Sequence, residues 1–233
     1  MFKIIYTPTW FYGVDLWIDL ISAIILALIA SFAFKYYKLG MKKNYLYLSA
    51  SFMLISAAFL FKTLTNFTIY YILPHQANFG YVTLTYHTLH SSNILFFIGF
   101  LLYRMLTLLG FYTLYSIYEK NQSVSNVLII VYFIVISTYF SDFAYYVFSF
   151  TASMMLSFIT WRFFINYRES GHKTTKLLAF SFLFLGASHA TSIFLSAGYF
   201  VYVLSEIIQM TAFTILLFTF IKVLRNAKKK KQA

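Results

Sequence analysis

The sequence predicts an all-α integral membrane bundle of seven transmembrane helices, with its N-terminus outside and its lysine-rich C-terminus in the cytoplasm. Three observations carry this. The 233 residues are 61% hydrophobic and only 10% charged, with a mean hydropathy of +0.75, whereas a water-soluble domain carries about a quarter charged residues. The apolar residues fall in runs of roughly 20, the length of a helix that crosses about 30 Å of hydrocarbon with every backbone hydrogen bond made internally. The lysines and arginines gather in alternate connections between those runs, as the positive-inside rule requires.

Seven runs can be drawn, over residues 14 to 37, 45 to 71, 88 to 115, 124 to 140, 144 to 167, 175 to 197 and 200 to 224. The first starts late, after 13 residues that hold a single lysine, and contains Asp15 and Asp19. With no small-residue cleavage site before the Lys35 cluster, it reads as a retained span and not as a leader. The second holds Lys62 and Asn66. The third extends past the length of a single span at its outer end, where His87 and His90 lie. The fourth is the shortest and turns through Ser141 and Asp142 into the fifth; merging the two would give a helix about twice as long as the hydrocarbon is thick. The sixth carries His189, and the seventh Glu206 and Gln209 before the Lys228 to Lys231 tail. Pro8 and Pro74 are the only prolines and both fall outside the spans, so the helices should be continuous. The whole chain, 1–233, reads as a single seven-helix domain.

Fifteen of the 18 lysines and arginines fall after the first, third, fifth and seventh runs. The segments 72 to 83, 141 to 143 and 198 to 199 contain none. An odd number of spans with the N-terminus outside places all four basic groups in the cytoplasm. Tyrosines and tryptophans at the run ends, among them Trp10, Trp17, Tyr47, Trp161, Tyr199 and Tyr202, mark the two headgroup levels, where an apolar ring and a polar tip are both satisfied.

The net charge of +12 does not point to nucleic acid, because the basic residues are dispersed in short connections and a tail and form no continuous patch. It points to an inner surface that meets anionic lipid or a cytoplasmic protein. Other membrane subunits are further expected partners. The absence of cysteine excludes disulfides, thiolate catalysis and cysteine-ligated metal centres. The seven-helix, N-outside layout is shared by microbial rhodopsins, G-protein-coupled receptors and small sugar carriers, and topology alone implies none of their functions. A retinal Schiff base would need a lysine midway along the last helix, which here reads Met210-Thr211-Ala212-Phe213-Thr214-Ile215.

Function is legible only in the polar residues within spans, since each is costly in hydrocarbon unless paired or hydrated. Counting along the helices puts Asp19, His90, His189 and Glu206 at about 9 to 12 Å from the outer ends, with Lys62 slightly deeper. Asp15, Asp19 and Ser22 share one helix face, as do Lys62 with Asn66, His87 with His90, and Glu206 with Gln209. The expected pocket is therefore Asp19, Lys62, Asn66, His87, His90, His189, Glu206 and Gln209, open to the outside. Lys62 is expected to neutralise Asp19 or Glu206, and Asp15 to be solvated at the interface. Arg104 lies either mid-membrane or near the inner headgroups, and His75 and His172 fall in loops. Each histidine alone reads as a packing residue, whereas His87, His90, His189 and Glu206 together are suited to a transition metal. Three functional classes fit a multi-pass protein of the cell membrane: a receptor-like binding, sensing or accessory protein that takes an ion or small ligand; a redox subunit holding haem or a metal, with His90 and His189 as haem ligands; and a zinc-dependent membrane hydrolase.

Overall fold

The computed structural model describes residues 8–11, 13–40, 43–75, 82–117, 131, 132, 134–136 and 145–232, with side chains at all of these except 9, 68–75, 82–96, 145 and 224–232. Among the described residues the chain is all-helical, with no strand. A 3₁₀ turn, Thr9–Phe11, is followed by α1 (Val14–Gly40), α2 (Lys43–His75), α3 (Val82–Ser116), α4 (Tyr145–Ser170), α5 (Lys173–Ser192), a second 3₁₀ turn (Leu195–Ala197) and α6 (Tyr199–Gln232). Residues 131, 132 and 134–136 are helical as well, and Ile134 packs into the core. The remainder of the fourth expected run, with Ser141 and Asp142, lies outside the described residues.

Among the described residues, five helical stretches are long and apolar enough to cross a membrane: Val14–Gly40, Lys43–Phe67, Phe97–Ser116, Tyr146–Ser170 and Tyr199–Val223. Helix α5 is not one of them. Its 20 residues reach about 30 Å, but Lys173, Thr174, Thr175, Lys176, Ser181, Ser188, His189, Thr191 and Ser192 make it more polar. The fold accommodates that polarity. Ser181, Thr191 and Ser192 donate to carbonyls of their own helix, while Ser188 donates across to the Ser205 carbonyl of α6 at 2.9 Å.

Each helix packs against its neighbour in sequence and α6 returns to α1, so the six described helices close a ring. The surface is the inverse of a soluble protein. Ile24, Leu28, Met53, Leu60, Leu64, Phe150, Phe158, Trp161, Ile207 and Phe218 point outward, whereas Asp15, Asp19, Lys62, Asn66, Glu206 and Gln209 are buried. Such a surface suits lipid. Between the helices lies an aromatic and aliphatic core built on Leu26, Ile29, Phe52, Ile55, Phe111, Phe148, Leu156, Phe182 and Leu216.

Hydroxyls and small residues join the helices, as expected where lipid supplies no hydrophobic drive to association. Ser49 and Ser56 of α2 donate to the carbonyls of Ala30 and Ala23 on α1, both at 2.8 Å. On α3, Gly99 and Gly110 let α2 approach until a Cβ at either would overlap a side chain of α2, Thr65 at Gly99 and Ile55 at Gly110. Between α4 and α5 the link is two residues, because Gly171 adopts φ +66° and donates its N–H to the Tyr167 carbonyl at 2.8 Å, ending α4 with a left-handed cap.

The element ends depart from the sequence reading in particular ways. Helix α2 continues to His75 and takes Pro74 into its last turn, α3 begins at Val82, and α6 runs on through the lysine tail to Gln232. The sixth run, expected to reach residue 197, stops as an α-helix at Ser192 and passes through the Leu195–Ala197 turn.

Candidate functional site

The site is built on three helices adjacent in the ring, the consecutive α1 and α2 and, from much later in the sequence, α6. Asp15 and Asp19 stand one turn apart on α1, Lys62 and Asn66 one turn apart on α2, and Tyr202 and Glu206 one turn apart on α6. Spacing of four residues puts each pair on one face, and in each case that face is the buried one.

Lys62 is the hub. Its ammonium donates at 2.8 Å to Asp19 Oδ1 and at 2.8 Å to Glu206 Oε1. Asp19 is 0% exposed, Glu206 5% and Lys62 7%, so these are ion pairs removed from solvent and not surface contacts worth fractions of a kilocalorie. The rings of Phe59 and Tyr103 each lie with their centroids 5.8 Å from the same nitrogen, within range of a cation–π attraction. The shell is incomplete, however. Among the described residues, Asp19 Oδ2, Glu206 Oε2 and Gln209 Nε2 are buried without a hydrogen-bond partner, an uncommon state for buried polar atoms.

Asp15 corrects the sequence reading. Expected to be solvated, it is 0% exposed and accepts a hydrogen bond from the Tyr202 hydroxyl at 3.3 Å. Close by, the N-terminal 3₁₀ turn folds the Phe11 ring against Ile18, Tyr202 and Val203. Tyr202 itself, read as a headgroup anchor, belongs to the site. Both were detectable, since Asp15 lies four residues from Asp19 and Tyr202 four from Glu206.

His189 is buried on α5, its ring edge-on to Phe111 at 6.0 Å and Phe148 at 5.7 Å between centroids. Phe148 in turn meets Tyr103, so an aromatic chain leads from the histidine back to Lys62. Arg104 is buried, its guanidinium 6.0 Å from the Phe148 ring centroid, which places it inside the bundle. The side chains of His87 and His90 lie outside the described residues, as does that of His75. The expected shell of His87, His90, His189 and Glu206 therefore rests on two side chains that are not described, and no three His, Asp or Glu residues converge on a metal position among the described residues. Of the expected pocket, Asp19, Lys62 and Glu206 are joined directly. Asn66 and Gln209 are buried next to them along α2 and α6.

Fold and site together define a helical membrane protein with a buried ionic cluster. Comparison with protein-family models, curated proteins and solved structures finds no match to the chain.

Proposed function

We propose that the chain is a seven-span protein with its N-terminus outside, and that it binds a small monovalent cation at the Asp19–Lys62–Glu206 cluster from the outer side. The observation that carries this reading is the imbalance of the cluster. Two buried carboxylates share one ammonium, and among the described residues each keeps an oxygen with no donor. An uncompensated charge in a low-dielectric interior is expensive, and a bound cation facing the two free oxygens supplies both the missing charge and the missing partner. Asp15 and Tyr202, one turn outward, supply polar groups along the way in, and Phe11 packs against Tyr202. A binding or sensing role follows more directly than catalysis, because the cluster presents acceptors and no activated nucleophile.

The test is thermal melting of the purified protein at constant ionic strength, with sodium, lithium or potassium replacing a large organic cation, together with proton uptake followed by an indicator dye. A ligand at one hundred times its Kd adds about 2.7 kcal/mol. One of these cations is expected to raise the melting temperature, and Asp19→Asn or Glu206→Gln to remove the response. Melting indifferent to every metal cation and to proton concentration would leave the cluster a structural pin only. The orientation is tested separately: a reporter after Ala233 is expected in the cytoplasm and one before Met1 outside, and the reverse at either end overturns it.

A further inference from the structure

We propose that a groove between α5 and α6 is a binding site for one anionic phospholipid, which lays an acyl chain along the groove and sets its headgroup against lysines at one end. The groove has a volume of about 460 Å³ and is lined by Leu177, Phe180 and Phe184 of α5 and by Thr214, Ile215 and Phe218 of α6. Residues 177, 180 and 184 are spaced by three and four, so they form a single stripe along α5. Thr214 is the only lining residue with a polar side chain, and its hydroxyl donates to the Met210 carbonyl of its own helix at 2.9 Å. The wall thus offers water no hydrogen bond and suits a hydrocarbon chain.

The two ends of the groove differ. Helices α5 and α6 follow one another through a short turn and run antiparallel, which brings the start of α5 beside the far end of the α6 span. Lys176 directly precedes Leu177, and its ammonium lies 5.9 Å from the ring centroid of Phe180 and 5.8 Å from that of Tyr167. Lys173 is one turn before it, and Lys222 is one turn beyond Phe218. The nearest carboxylate in sequence, Glu169 on the last turn of α4, makes no ion pair among the described residues. An apolar slot with an unneutralised cationic end matches the two parts of an anionic phospholipid and does not select a zwitterionic one. None of these residues belongs to the cation site, so either proposal can fail without the other.

Native mass spectrometry of the detergent-purified protein can decide this with phosphatidylglycerol and phosphatidylcholine bearing the same acyl chains. Phosphatidylglycerol should be retained at about a hundredfold lower concentration, since each of the three lysines near an anionic headgroup is worth roughly a fivefold factor. Lys173→Gln, Lys176→Gln and Lys222→Gln combined should bring the two lipids level. Thr214→Trp, which fills the groove from an exposed position, should weaken retention of both. Equal binding by the native chain, a preference that survives loss of the lysines, no effect of Thr214→Trp, or full displacement by inorganic phosphate would each overturn the proposal.

Discussion

Replacing Lys62 with methionine is expected to destabilise the protein by about 3–5 kcal/mol, the usual cost of removing one partner from a buried ion pair. The loss does not come chiefly from the missing attraction. It comes from leaving Asp19 and Glu206, both almost entirely buried, facing one another with no cation between them. The two carboxylates lie close together, because each is 2.8 Å from the same nitrogen, so their repulsion adds to their desolvation. Neutralising them should therefore rescue the variant. Lys62→Met with Glu206→Gln or Asp19→Asn is expected to recover part of the lost stability, and all three changes together most of it, with pairwise couplings of about 0.5–3 kcal/mol. Thermal or denaturant unfolding in detergent measures each combination. Should the double variants be no more stable than Lys62→Met alone, the cluster is not the electrostatic unit described above.

Gly110→Ala is expected to cost about 1–3 kcal/mol, the range for overpacking a filled interior, and Gly110→Leu more. A Cβ there would overlap the Ile55 side chain and lie 3.0 Å from the Ser51 carbonyl oxygen. A side chain can rotate away, whereas a backbone carbonyl in the middle of α2 cannot move without the helix. Gly99→Ala should be milder, since the three atoms nearest its Cβ position all belong to the Thr65 side chain and none to backbone. Gly40→Ala meets nothing within 4 Å and serves as the control, with an expected change within about 0.5 kcal/mol. Unfolding midpoints that rank the three glycines in another order would contradict the close approach of α2 and α3.

The helices were legible because one constraint, closure of backbone hydrogen bonds in lipid, acts on every residue of a run. Their ends were less so. No residue between Lys222 and Gln232 breaks a helix, so α6 continues past the point where hydropathy falls, and α2 includes Pro74 one residue before its end although a proline there has no N–H for the carbonyl four residues back. In the site, the pairing of Lys62 with Asp19 and Glu206 followed from energetics alone: a lysine so deep needs an acid, and only a few acids were at its depth. Asp15 was hidden because its place at the start of a helix suggests exposure, and the turn that carries Phe11 to Ile18, Tyr202 and Val203 has no periodic signal. The aromatic surroundings of Lys62 were equally hidden. Phe59, Tyr103 and Phe148 cannot be told from other rings in a chain with 29 phenylalanines and 21 tyrosines.

The hub at Lys62 also bears on how the molecule is made. Asp19 and Lys62 are separated by 43 residues, but Glu206 lies 144 residues beyond Lys62. During synthesis the first two charges enter the membrane early, and a carboxylate on the last helix completes their coordination. Ring closure by α6 against α1 is likewise among the latest contacts available to the nascent chain. A long-range pairing of this kind delays the ordering of the polar centre until α6 has been made. Until then the early helices hold an ammonium and one carboxylate whose second acid has yet to arrive.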